Sequence, residues 1–121
     1  MPDDQFERGL KVRREVMGDA YVDRALTNGA PVTTEFQDLL TRYVWGEVWS
    51  RPGLDRKTRS CVTVALLAAL GKEQELAAHL KAALNNGADR EEIKEVLLHV
   101  AVYCGIPAAN VAFRVAADVL M

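Results

Sequence analysis

Two histidines have the clearest capacity for proton transfer. His79 and His99 are the only histidines in the chain, and imidazole is the side chain whose ordinary pKa lies nearest to neutral pH. Either could act as a general acid or base. Each also has a plainer interpretation: His79 borders an apolar stripe and could simply donate to a carbonyl, and His99 could be a packing or surface residue. The sequence leaves open which of the two carries a proton.

A second group of reactive side chains lies near the middle of the chain. Glu47 stands between Trp45 and Trp49, and partial desolvation by the indoles would raise its pKa and suit it to carrying a proton. Arg51 and Arg59 could each bind a substrate carboxylate through two parallel hydrogen bonds. A solvated Glu47 beside two core tryptophans, and arginines engaged in structural salt bridges, are equally consistent with the sequence.

Motifs for metals and nucleotides are missing from the sequence. There is no glycine-rich phosphate loop, no His-Glu-x-x-His and no Gly-x-Ser-x-Gly. Cys61 and Cys104 stand 43 positions apart and form no Cys-x-x-Cys pair, so the spacing predicts neither a zinc site nor a local redox pair. We expect reduced, buried thiols, and we expect any enzymatic reaction to proceed without a metal or a cofactor.

Length and charge restrict the classes of partner. A chain of 121 residues is long enough to bury one core, which predicts a single domain over residues 1–121. Fifteen basic residues against seventeen acidic ones leave no basic surplus for binding nucleic acid. The longest apolar stretch, residues 62–70, is about half of what spans a bilayer, and the acidic start is unlike a signal peptide. These features favour a cytoplasmic protein without membrane contact.

The elements that must position these side chains are all helical, because apolar residues recur at intervals of three and four and no segment alternates as a half-buried strand does. Predicted caps are Asp55, a Thr34-x-x-Gln37 box and a box formed by Asp89 and Glu92. Short connections favour an antiparallel bundle of six to seven helices. The predicted helices cover 4–17, 20–26, 33 or 34 to 49, 56–70, 73–86, 90–103 and 108–120.

The helix predicted over residues 56–70 is apolar on every side in its second half, which indicates a central helix buried all round. A small all-α chain has limited interior for its many Ala, Leu and Val residues. We therefore expect the surplus apolar surface to be covered by homo-oligomerisation.

Several spaced motifs, taken together, resemble the carboxymuconolactone decarboxylase family over nearly the whole chain. The resemblance implies the all-helical fold shared with the AhpD-like alkylhydroperoxidases and a ring-shaped homo-oligomer, a hexamer. It also implies cofactor-free decarboxylation of 4-carboxymuconolactone in the protocatechuate branch of the β-ketoadipate pathway. The motifs are Trp45-Gly46-Glu47-Val48-Trp49, Arg51-Pro52-Gly53-Leu54, Arg56-x-x-Arg59-Ser60, Glu75-Leu76-x-x-His79-x-x-x-Ala83-x-Asn85-Asn86-Gly87, Glu91-Glu92-Ile93 and His99-x-x-x-Tyr103-x-Gly105-x-Pro107.

The same resemblance separates decarboxylation from thiol peroxidation. The AhpD-like relatives carry a Cys-x-x-Cys pair just before the histidine that His79 matches, and Lys72 and Glu75 occupy those places in this chain. Peroxidase chemistry is therefore disfavoured, because a peroxidatic thiol needs a second thiol within disulfide reach.

We expect His79 to deliver a proton, Glu47 to orient it, and Arg51 or Arg59 to anchor a carboxylate of a small lactone substrate. The pocket could lie within one chain or between subunits. Alternatives are another cofactor-free enzyme acting on a related lactone or β-keto acid, and a non-enzymatic oligomeric binding module. Further candidates for hydrogen bonds to the substrate are Ser60, Asn86, His99 and Tyr103.

Overall fold

The computed structural model describes residues 3–29 and 31–121, and all regular structure within them is helical. The all-α prediction is confirmed. The residue contacts divide the chain into two compact units, one ending at Leu54 and one covering Asp55–Met121. None of the described helices is long and apolar enough to cross a membrane.

The first unit begins with α1, where Asp3 accepts a hydrogen bond from the backbone N–H of Phe6. Gly18 ends α1 with a φ of 90°, a conformation that glycine adopts without steric cost. The predicted boundaries of α1 are confirmed, and α2 is extended by one residue at each end. The elements of this unit are α1 (Asp4–Met17), α2 (Asp19–Thr27), a 3₁₀ turn (Pro31–Thr33), α3 (Thr34–Leu40) and a π-helix (Thr41–Val48).

The predicted Thr34-x-x-Gln37 box is wrong. The N-cap of α3 is Thr33, which has helical dihedrals and makes no side-chain cap hydrogen bond. The physical reason is that the chain enters α3 through the 3₁₀ turn, whereas a capping side chain requires an extended backbone. The side chain of Gln37 instead accepts a hydrogen bond from Arg13 Nη1 at 3.0 Å.

The single helix predicted to run to residue 49 changes its hydrogen-bonding pattern at Thr41. From there to Val48 it is a π-helix, in which each N–H bonds the carbonyl five residues earlier. The last such bond runs from Trp49 N–H to the carbonyl of Val44 at 2.9 Å. This change alters the direction in which the following side chains leave the helix.

The second unit consists of four helices around one apolar core. Asp55 caps α4 by accepting from the N–H of Thr58 at 2.7 Å, and the Asp89–Glu92 capping box at the start of α6 is present in full; both predictions are confirmed. The helices are α4 (Arg56–Leu70), α5 (Glu73–Asn85), α6 (Arg90–Cys104) and α7 (Ile106–Val119). The core residues are Val64, Ala68, Leu76, Leu80, Ala83, Ala88, Ile93, Leu97, Val100, Ala112 and Ala116.

The prediction that α4 is buried all round is wrong for this chain. Val64 and Ala68 face the core, whereas Leu66 is 57% exposed and Leu70 is 68% exposed. Helical periodicity identifies apolar positions, but it does not show that α5, α6 and α7 cover only one side of α4. The consequence is a broad apolar surface on the single chain.

The cysteines are both free, and only one of them approaches the predicted burial. Cys61 on α4 is half-buried, and burial raises the pKa of its thiol. Cys104 is the last residue of α6 and is exposed, so the prediction of a buried thiol is wrong there. The core does not extend to that end of α6.

Candidate functional site

His79 lies on α5 with its ring partly buried. Its Nδ1 atom is inaccessible to solvent and has no hydrogen-bond partner among the residues that the structure describes. Buried polar atoms in folded proteins nearly always have a partner. Burial lowers the pKa of His79 below its ordinary value of 6.5, and the nearby Glu75 carboxylate opposes the shift. The ring is therefore a largely neutral imidazole near pH 7, with one ring nitrogen buried and unpartnered among the described residues.

The lowered pKa of His79 predicts a dependence of stability on pH. The His79 imidazole takes up a proton near pH 6.5 in the unfolded chain and only at lower pH in the folded chain. The free energy of unfolding therefore falls as the pH falls from 6.5 through the folded pKa of His79. Urea unfolding at pH 7.5 and pH 5.5 should show a larger acid-induced loss for the natural chain than for His79→Gln. A His99→Gln variant is the control, since His99 is exposed. Equal losses of unfolding free energy in all three proteins would contradict the lowered pKa of His79.

Ser60 and Asn86 are brought together across the second unit. Asn86 caps the C-terminal end of α5, and its Nδ2 atom donates to Oγ of Ser60 on α4 at 3.0 Å. Ser60 is fully buried. This bond fixes the end of the helix that carries His79, seven residues earlier in the chain.

His99 and Tyr103 lie one helical turn apart on α6, with ring centroids 4.8 Å apart and planes inclined by 51°. Both line a mostly apolar groove between α4 and α6, of about 860 Å³. His79 is not among the residues that line this groove. The other lining residues are Cys61, Val62, Ala65, Leu66, Ala69, Glu95, Val96, Val100 and Cys104.

Glu47 and Arg51 form an ion pair in the first unit, with Arg51 Nη1 3.2 Å from Glu47 Oε1. Both side chains are more than half exposed. Trp45 and Trp49 are buried, and their ring centroids lie 5.1 Å apart. Of the two interpretations that the sequence allowed, a solvated Glu47 beside two core tryptophans is therefore the one observed.

Arg59 lies near the start of α4 in the second unit and is half-buried. Its backbone carbonyl accepts a hydrogen bond from the hydroxyl of Thr63 at 2.8 Å. The eight candidate residues thus fall into two groups, with Glu47 and Arg51 in the first unit and the remaining six in the second. Within the described ranges, 3–29 and 31–121, no group of three or more His, Cys, Asp or Glu side chains is arranged to hold a metal ion.

Comparison with known proteins identifies the family to which these residues belong. The profile of the carboxymuconolactone decarboxylase family matches residues 34–118. The chain belongs to this family. The matched segment contains all eight candidate residues, and it contains the π-helix, α4, α5 and α6, which carry six of them.

The chain is similar to decarboxylases that carry two different names. The chain is 50% identical over 120 residues to the 4-carboxymuconolactone decarboxylase of Acinetobacter baylyi, covering 98% of this chain and 90% of the relative. It is 48% identical over 103 residues to a nitrosuccinic acid decarboxylase of Metarhizium robertsii, covering 85% and 72% respectively. A 4-carboxymuconolactone decarboxylase of Pseudomonas putida is 42% identical over 43 residues, covering 36% and 90%.

Two structural features of this family member escaped the sequence patterns. The sequence pattern predicts ordinary α-helix for the π-helical segment that carries Glu47, although Gly46, a poor helix former, stands inside it. The sequence predicts burial for the α4 side of the groove between α4 and α6, and that side is exposed. A glycine within an apolar helical run is the available signal for the first feature. The surplus of apolar residues is a general signal for the second, but it does not locate the groove.

Proposed function

We propose that this chain converts 4-carboxymuconolactone to the enol-lactone of β-ketoadipate and CO2, in the protocatechuate branch of the β-ketoadipate pathway. The observation that carries the proposal is the 50% identity with the Acinetobacter baylyi decarboxylase over 98% of this chain. The activity is assigned to residues 1–121 as one functional domain, and the proposed location is the cytoplasm. His79, with its unsatisfied ring nitrogen, supports a proton-transfer step.

The substrate itself can accept the electrons that decarboxylation releases. Its γ-carbon bears the carboxylate, and the adjacent ring double bond is conjugated with the lactone carbonyl. When the bond to the carboxylate breaks, CO2 leaves and the electron pair moves through the ring to the carbonyl oxygen, forming a dienolate. Protonation at the α-carbon gives the enol-lactone. No cofactor is needed as an electron acceptor, so the protein supplies binding, charge stabilisation and one proton.

His79 is the proposed donor of that proton. Its lowered pKa means that the free enzyme holds mostly neutral imidazole near pH 7. A bound dianion raises the pKa of a nearby imidazole, because the opposite charge favours the protonated form. Substrate binding would thus favour the protonated form of His79. Glu47 is proposed to orient the imidazole ring and to stabilise its positive charge.

Arginines are the proposed anchors for the carboxymethyl group of the substrate. A guanidinium can hold a carboxylate with two parallel hydrogen bonds, and Arg51 and Arg59 are the candidates. The proposed hydrogen-bond partners of the lactone are Ser60, Asn86, His99 and Tyr103. Among these, Ser60 is fully buried and already hydrogen-bonded to Asn86. Ser60 is therefore a weaker candidate for substrate contact than His99 and Tyr103, which are exposed on α6.

A second candidate substrate is nitrosuccinate, favoured by the 48% identity with the Metarhizium robertsii enzyme. Nitrosuccinate also bears a carboxylate next to a group that can accept the released electrons, in this case a nitro group. The same proton donor and arginine anchor would serve both reactions. Comparing kcat/KM for the two substrates tests the choice, and we expect the lactone to be preferred by at least about 10-fold. A preference for nitrosuccinate would move the assignment to the second candidate.

We also propose that the chain assembles into a homo-oligomer, with a hexamer as the expected size. Support comes from the large apolar side chains left exposed on α4 and α6. Val62, Leu66 and Leu70 on α4 and Leu98 and Val102 on α6 are each at least 46% exposed. Burying such side chains stabilises an assembly by roughly 25 cal/mol per Å² of apolar surface. A second copy over this surface would also place part of the pocket between subunits.

Leu66→Glu should therefore convert the oligomer to smaller species, because a carboxylate would be buried in an apolar contact. Multi-angle light scattering measures the mass directly. Gln74→Glu is the matched control, since it adds the same charge at an exposed position on α5. An unchanged mass for Leu66→Glu would show that this part of α4 is not an interface.

A further inference from the structure

The π-helix that carries Glu47 is long for its kind. It covers eight residues, Thr41–Val48, whereas most π-helical segments are single turns inserted in α-helices. Such segments occur frequently at functional sites. A geometry that is intrinsically rare needs contacts from outside the helix to maintain it, and in this unit those contacts come from α1.

Side chains of α1 bind backbone carbonyls of the π-helix. Arg8 Nε donates to the carbonyl of Gly46 at 3.0 Å, and Gln5 Nε2 donates to the carbonyl of Arg42 at 3.3 Å. The Ser50 hydroxyl also donates to the carbonyl of Gly46, at 2.7 Å. The peptide directly before Glu47 is thus held by two side-chain donors, one of which comes from a helix distant in sequence.

The backbones of α1 and the π-helix are also in direct contact. A Cβ atom added to Gly9 would collide with the carbonyl oxygen of Thr41, and one added to Gly46 would lie 2.5 Å from the carbonyl oxygen of Gln5. Such contacts leave little freedom for the π-helix to slide or rotate against α1. This contact limits where Gly46 can lie, and the side-chain donors to its carbonyl then fix the orientation of the peptide before Glu47.

A buried cation marks the junction between α3 and the π-helix. Arg13 is 4% exposed, and its Nη1 atom donates to Gln37 Oε1 at 3.0 Å and lies 3.5 Å from Oγ1 of Thr41. Both partners are uncharged. A buried guanidinium without a carboxylate is costly, and burial lowers its pKa. Arg13 thus ties α1 to the residue at which the helix changes type.

We infer that Arg8 is a positioning residue for Glu47, acting through the carbonyl of Gly46. The inference rests on the proposed function, in which Glu47 orients the proton donor. Arg8 is an exposed residue whose Nε atom donates to the Gly46 carbonyl. It forms no ion pair within the described residues. Loss of its side chain removes one of the two side-chain donors to the Gly46 carbonyl and so loosens the peptide that precedes Glu47. Small displacements of a catalytic group can cost up to about 100-fold in rate.

The test is a double-mutant cycle on decarboxylation by the full chain. Arg8→Ala should lower kcat about 10-fold with little change in KM, and Arg8→Lys, which keeps a donor, should restore most of the loss. Lys11→Ala is the control, because Lys11 is an exposed cation on the same helix. In a Glu47→Gln background, Arg8→Ala should have no further effect, since a residue that acts through Glu47 loses its role with it.

The outcomes separate this inference from the proposed function. If the natural chain does not decarboxylate the lactone, or if Glu47→Gln does not slow it, the proposed function or the role of Glu47 fails and the inference fails with it. If Glu47→Gln slows the reaction but Arg8→Ala behaves like Lys11→Ala, only the inference is overturned. Equal rate losses for Arg8→Ala with and without Glu47 would also overturn it, because they would show an effect on overall structure.

Discussion

Replacement of His79 by alanine should lower kcat for decarboxylation by about 100-fold or more, the scale expected for loss of a general acid. The dienolate must be protonated on carbon, and His79 is the candidate donor whose ring nitrogen is buried without a partner among the described residues. Steady-state kinetics with the lactone measures the effect. KM should change little if His79 acts mainly in the transition state.

His99→Ala is the informative companion variant. His99 is exposed and its ring contacts that of Tyr103 at a tilt of 51°. We expect a loss of less than about 10-fold, because a hydrogen bond to the lactone is its proposed role. The folded state and the oligomer mass of both variants should match those of the natural chain. The same result for a variant changed at both His79 and Glu47 would argue against a scaffold in which these two residues only hold helices together. Near-normal turnover by folded His79→Ala, with a large loss in His99→Ala, would exchange the two roles.

An arginine-to-alanine change at the carboxylate anchor should raise KM by roughly 10-fold to 100-fold, because a hydrogen bond between charged groups contributes about 1.5–3 kcal/mol. The carboxymethyl group keeps its charge throughout the reaction, so its anchor stabilises ground and transition states alike and kcat should be largely retained. Arg51 and Arg59 are each changed singly, and at least one should show this behaviour.

Arg114→Ala serves as the control for the loss of one positive charge, since Arg114 is exposed on α7. Changing the anchoring arginine to lysine should recover only part of the affinity, because an ammonium group cannot make the paired contact. If neither Arg51→Ala nor Arg59→Ala raises KM above the control value, the proposed anchors are wrong.

The predictable parts of the fold are those set by local chemistry. Asp55 caps α4, and Asp89 with Glu92 begins α6, because each cap is decided within four residues. The His99–Tyr103 ring contact has the same origin, since both residues lie in α6 and residues four apart lie on one face of an α-helix.

The unpredicted parts depend on contacts between residues far apart in sequence. Gln37 binds Arg13, 24 residues away, rather than closing a capping box, and Asn86 reaches Ser60 across 26 residues. The π-helix similarly depends on α1, through Arg8 and the Gly46 carbonyl 38 residues later. Hydrophobic periodicity records which positions are apolar, and it contains no information about which partner covers them.

The most direct test of the proposed function generates the lactone in situ with a cycloisomerase and adds the purified chain, without added metal or cofactor, in deuterated water. We predict rapid, stoichiometric release of CO2 with formation of the enol-lactone, which carries one deuterium at the carbon next to the carbonyl. A rate no faster than the spontaneous reaction, measured on folded protein, would contradict the proposed substrate and the proton-transfer role of His79 together.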